Sequence, residues 1–205
     1  PNDKWGSVLE TGDFDGDGFH DLAIGTPNES IGSILEAGAV TFVYGSSTGL
    51  DGRGSRLFHQ NTSRVPGGSE LADHWGDSIM SADLNADGRS DVLVSSSAES
   101  IGTAYDTGFM VLIKGSYSGI TSYGAKGIHQ NSYNIPGSNR NGDYWGRLGA
   151  DSWVDSYRPP KGVVTPSGVN VMLLSNLDEG LIVRTPCGKP RVVPSGSILE
   201  NIDVV

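Results

Sequence analysis

The chain has 205 residues, enough to bury a sizeable core in one domain or two small ones. Thirty glycines and ten prolines, with 8% aromatic and 19% charged residues, suit short strands joined by tight turns and fit a helical bundle poorly. A net charge of −10 argues against nucleic acid or an anionic membrane as partner, and one cysteine, Cys187, excludes an internal disulfide framework. No apolar run approaches the roughly 20 residues of a bilayer span. The chain begins at Pro1 with neither an initiator Met nor a signal-like segment, which suggests a processed or excised chain.

An internal repeat organises the rest. Asp-x-Trp-Gly occurs at Asp3–Gly6, Asp73–Gly76 and Asp143–Gly146, a spacing of 70. Laying residues 5–74 on 75–144 without a gap matches 21 of 70 positions. The matches come in blocks: Glu29-Ser-Ile-Gly32 with Glu99-Ser-Ile-Gly102, Gly45-Ser46 with Gly115-Ser116, and His59-Gln-Asn61 with His129-Gln-Asn131. A gapless period that keeps turn residues in phase marks a duplicated supersecondary unit.

In chain order, the first unit predicts strands at Ser7–Thr11, Asp21–Gly25, Gly38–Tyr44 and Arg56–Asn61. The second predicts counterparts at Asp91–Val94, Gly108–Ile113 and Lys126–Asn131. No segment shows a capped 3.6-residue period. Four strands per repeat is the arithmetic of a propeller blade, so the expected fold is all-β, a partial β-propeller of four-stranded antiparallel blades. The expected divisions are 1–74 and 75–144 as blades, 145–184 as a degenerate or partial third blade, and 185–205 as an extended linker. Strand-like runs remain at Val169–Leu174 and Leu181–Arg184.

The chemistry concentrates between the first two strands of each unit. One loop reads Asp13-Phe-Asp15-Gly-Asp17-Gly-Phe19-His-Asp21, the other Asp83-Leu-Asn85-Ala-Asp87-Gly-Arg89-Ser-Asp91. Ca²⁺ takes six to eight oxygens at flexible geometry, and positions 1, 3 and 5 of a tight loop can aim three side-chain oxygens inward. The acid at position 9 closes the cage, and the carbonyl at position 7, from Phe19 or Arg89, adds an oxygen. Position 12, where an EF-hand places its bidentate Glu, is Ile24 or Val94, so these are nine-residue loops in hairpins. The expectation is two calcium sites: Asp13, Asp15, Asp17, Phe19 and Asp21, then Asp83, Asn85, Asp87, Arg89 and Asp91. The competing reading is an acidic turn, with Asp and Asn present only for their turn geometry. At the third unit the same offset gives Trp153, Asp155, Tyr157 and Lys161, so no third site is expected.

The run Trp5-Gly6, Gly12–Gly18, Asp21–Pro27, Gly38-Ala-Val40 and Tyr44-Gly-Ser46 resembles the FG-GAP repeat of integrin α-subunit propellers and many bacterial secreted proteins. That resemblance covers residues 1 to about 150. It implies a calcium-stabilised propeller, secreted or at the cell surface, serving as a binding or adhesion scaffold for a protein or glycan. The tail, Glu179–Gly188 and Asp203-Val-Val205, is similar to the lead-in of some bacterial zinc-dependent N-acetylmuramoyl-L-alanine amidases. It implies an alternative role, a non-catalytic accessory region of a cell-wall hydrolase.

No nucleophile elbow, phosphate loop or zinc helix motif occurs, so no catalysis is expected of this chain. His59 and His129 recur at one blade position and read as structural. Trp5, Trp75 and Trp145 read as aromatics packed between blades. Fewer than three repeats cannot close a propeller, which implies further blades or self-association.

Overall fold

The computed structural model describes residues 2–147 and, within a separate unit over 150–205, two short strands. Eight strands form two four-stranded sheets with one topology. The first holds β1 (Val8–Gly12), β2 (Asp21–Thr26), β3 (Ala39–Tyr44) and β4 (Asp51–Phe58), and the second holds β5 (Ser78–Ala82), β6 (Asp91–Ser96), β7 (Phe109–Lys114) and β8 (Thr121–Ile128). Each sheet is an antiparallel meander, with neighbours in sequence paired in space. Among the described residues there is no helix. The fold is all-β, built of four-stranded units of propeller-blade type.

Burial follows strand position. The central strands are nearly continuous apolar runs: β6 is buried throughout, and β2 is buried except at Leu22. The outer strands are more open: β4 is largely exposed and β8 mostly half-buried. They also depart most from the sequence reading. Each starts five residues earlier and ends three earlier than expected, because β4 and β8 pair along β3 and β7 through a register shift. That shift falls at Phe42/Tyr44 in one unit and Leu112/Lys114 in the other, one repeat apart. An irregularity kept at one repeat position belongs to the unit's design, as bulges do.

The two sheets share one apolar cluster. Phe14, Phe42 and Phe58 stack edge to face, with centroids 5.7 and 5.6 Å apart, and this cluster continues through Trp75 and Ile79 into Val92, Val111 and Ile113. Trp75 is the hinge of the packing. Its N–H donates to the Ala37 carbonyl at 3.0 Å, and its backbone lies against Gly38. Trp145 repeats this geometry on Thr107 (3.0 Å) and Gly108.

In the 150–205 unit, β9 (Leu181–Val183) pairs antiparallel with β10 (Arg191–Val193). β10 falls inside the segment expected to be an extended linker, so that segment carries a strand. Val169–Leu174, the offset positions Trp153, Asp155, Tyr157 and Lys161, Cys187, and the ends of the tail lie outside the described residues.

Candidate metal centre

Both acidic loops connect the first strand of a sheet to its second, so Asp21 and Asp91 open β2 and β6. These two carboxylates are buried and bound to backbone. Asp21 accepts from the N–H of Phe14 and of Gly45, both at 2.8 Å, and Asp91 accepts from Gly115 at 3.1 Å. Each thereby ties its loop to the turn after the third strand. Burial raises both carboxyls above the usual range, in spite of these hydrogen bonds.

In the first loop, Asp13, Asp15 and Asp21 each offer an oxygen within 4.8 Å of the others. Asp13 is steadied by Gly16 N–H at 2.7 Å and Gly18 N–H at 3.0 Å. Desolvation raises the Asp15 carboxyl, and the Asp17 and Asp13 carboxylates add to the rise. Asp17 is not one of the trio; its Oδ1 accepts from Phe19 N–H at 2.9 Å. The bare loop therefore concentrates negative charge in a partly dry place, an arrangement that a hard cation would relieve.

The second loop repeats the backbone pattern. Asp83 accepts from Asp87 N–H at 3.1 Å and Gly88 N–H at 2.9 Å, hydrogen bonds that lower its carboxyl. The side chains differ. The Asn85 amide is oriented toward Asp91 at 3.3 Å, and the Arg89 guanidinium pairs with Asp87 at 2.9 Å while covering the Tyr117 ring at 4.2 Å. Among the described residues no trio of carboxylates converges here as in the first loop.

The next unit explains the better enclosure of the first loop. Ser90 N–H donates to the Asp13 carbonyl at 2.7 Å and Ser116 N–H to the Phe14 carbonyl at 3.1 Å, while the Arg89 stem lies beside Gly16. Asp13 and Asp15 are accordingly half-buried, whereas Asp83, Asn85 and Asp87 are exposed.

Sequence reasoning missed a second set of polar residues. Gln60 Nε2 donates to Glu99 Oε2 at 2.6 Å across the boundary between units, and both residues are buried. Burial pushes the Glu99 carboxyl up to about 7 and the nearby Asp73 carboxyl up to about 6. Both Gln60 and Glu99 sit in the repeated blocks, and that repetition was the signal that could have found them. His59 and His129 prove to be turn residues, their N–H groups held by Thr62 Oγ1 at 3.0 Å and Ser132 Oγ at 2.9 Å.

Comparison with known proteins now bears on this geometry. A family model described as FG-GAP repeat matches residues 5–43, which include the whole first loop. The first unit is an FG-GAP repeat. Two relatives are the phosphatidylinositol-glycan-specific phospholipase D of Mus musculus and that of Rattus norvegicus, each 31% identical over 96 residues. The matched stretch is 47% of this chain and 11% of either relative, so the chain spans a small part of their length. The amidase-like reading of the tail is not borne out by these comparisons, and apart from Leu181–Val183 the residues that carry it lie outside the described ones. No described helix is long and apolar enough to cross a membrane.

Proposed function

We propose that this chain is a calcium-stabilised segment of an extracellular β-propeller that acts as a binding scaffold for a protein or glycan, without catalysis of its own. The observation that carries this reading is the convergence of Asp13, Asp15 and Asp21 in a repeat of FG-GAP type. Calcium in the first loop takes Asp13, Asp15, Asp17, Asp21 and the Phe19 carbonyl. A second ion takes Asp83, Asn85, Asp87, Asp91 and the Arg89 carbonyl. The second site is the weaker, because Asn85 is neutral and Arg89 competes for Asp87.

Titration calorimetry with calcium tests this. Two unequal sites are expected; Asp15→Ala removes the tighter and Asp87→Ala the weaker. No binding, or a third site, contradicts the proposal. The matched relatives are named as phospholipases, and the scaffold reading expects no hydrolysis of a phosphatidylinositol-glycan by this chain; turnover by the purified protein would overturn it.

A further inference from the structure

We propose that Arg89 is a built-in cation shared by the two acidic loops: it holds Asp87 while the second loop is without an ion, and turns to Asp17 of the first loop when Asp87 is taken. The two sites therefore oppose each other. This rests on the calcium reading of both loops.

Setting one repeat on the other isolates the residue. Position 7 of the first loop is the apolar Phe19, where the second loop has Arg89. The turn after β7 carries Tyr117, where the turn after β3 carries Ser47. The cation and the ring it covers thus occur together in the second unit, and the first unit has neither.

Arg89 stands between the loops. A Cβ placed on Gly16 would come within 2.9 Å of Arg89 Cγ, so the bare backbone between Asp15 and Asp17 is what lets the arginine stem lie there. The next residue, Ser90, donates its N–H to the Asp13 carbonyl at 2.7 Å, which fixes the base of the side chain against the first loop. At the tip, Nη2 pairs with Asp87 Oδ2 at 2.9 Å and the guanidinium covers the Tyr117 ring at 4.2 Å. The side chain is 13% exposed, and its Nε is buried without a hydrogen-bond partner among the described residues. The stem is anchored, and the tip is held by one carboxylate.

An ion in the second loop claims that carboxylate. A mostly buried guanidinium left without a counter-charge is costly, so the tip must find another acid. Asp17 adjoins the glycine under its stem, is exposed, and accepts one local hydrogen bond, from Phe19 N–H. The same Asp17 is a ligand of the first site in the calcium reading, so a guanidinium there competes with an ion. Linkage makes the effect reciprocal: an ion in the first loop keeps Arg89 on Asp87 and weakens the second site by the same factor. A partly exposed pair of this kind shifts an equilibrium by no more than about five-fold, which sets the size of the effect.

Calcium titration calorimetry of the full chain tests this with Asp87→Ala, Arg89→Met and the two combined. Met keeps most of the stem and removes the charge. Arg89→Met is expected to tighten the second site several-fold. Asp87→Ala frees the guanidinium and is expected to weaken the first site several-fold, and adding Arg89→Met restores the parent affinity there. A first site unaltered by Asp87→Ala overturns the proposal, as does failure of Arg89→Met to restore it. A second measurement needs no ion. In chelator, a denaturation cycle of Arg89→Met against Asp17→Asn is expected to show several-fold coupling in the unfolding constant when Asp87 is Ala, and none when Asp87 is present. Absence of coupling in the Asp87→Ala background overturns the proposal whether or not the chain binds calcium. Coupling found in a chain that binds no calcium supports the sharing of Arg89 and fails the calcium reading alone.

Discussion

At the scale of single residues, the acidic loop divides into groups that hold the chain and groups free to hold an ion. Asp21 satisfies two backbone N–H groups from a buried position, so Asp21→Ala leaves them unpaired. It is expected to cost on the order of 3 kcal/mol even in chelator, since each stranded buried group costs about 1–3 kcal/mol. Asp17 is exposed and makes one local hydrogen bond. Asp17→Ala is expected to stay within about 0.5 kcal/mol in chelator while weakening calcium binding. Chemical denaturation with and without calcium checks both; equal losses in chelator would erase the distinction.

Glu99 gives a separate residue-scale prediction. Its folded pKa of about 7 stands above the unfolded value of 4.5, so the folded state holds the proton more tightly. The stability from this group is fully present below the unfolded value and is lost as pH rises through about 7. The span corresponds to on the order of 3 kcal/mol. Asp73 acts in the same direction over a lower window, ending near 6. Glu99→Gln keeps a group that can accept from Gln60 and cannot ionise, so it is expected to flatten the fall in melting temperature between pH 5 and pH 8. A slope equal to that of the parent protein would mean that Glu99 ionises without penalty.

At the scale of elements, one glycine carries the joint between sheets. Gly38 sits at φ +86°, and a Cβ placed there would come within 2.2 Å of the Trp75 carbonyl oxygen. Gly32 has φ +65° and open space around it. Gly32→Ala is expected to cost about 1 kcal/mol from the left-handed backbone alone. Gly38→Ala adds a clash with backbone that cannot yield without parting the sheets, and the loss is expected to exceed about 3 kcal/mol. Comparable melting temperatures for the two variants would show that the joint is soft. The sequence made this element scale largely legible, because apolar runs such as Asp21–Gly25 and the 70-residue period register directly as buried central strands. It was less telling at Asp51–Phe58, where exposed glycines and arginines take strand geometry only because β3 offers an edge to pair with. In the loops the spacing singled out Asp13, Asp15 and Asp21, which the structure brings together, yet the Arg89–Asp87 pair and the covering of one loop by the next are contacts that spacing does not encode.

At the scale of the whole molecule, the duplication does not produce two independent bodies within residues 2–147. Phe42 and Phe58 of the first sheet and Val92, Val111 and Ile113 of the second belong to one cluster, with Trp75 between them. Repeat arrays in which each unit leans on its neighbour unfold together when the interface term is large against the stability of one unit. A single four-stranded sheet of this size buries too little alone, so the interface term dominates here. The two sheets are expected to melt in one transition. Phe42→Ala, which empties a ring's volume at the centre of the first sheet, should lower the whole transition by about 3–5 kcal/mol of stability and should not release that sheet first. Scanning calorimetry together with the fluorescence of Trp75 and Trp145 checks this, because coincident transitions are the mark of a cooperative unit. Two resolved transitions in Phe42→Ala, the later one carrying the Trp145 signal, would mean that each FG-GAP-type sheet stands by itself and that Trp75 joins them only loosely.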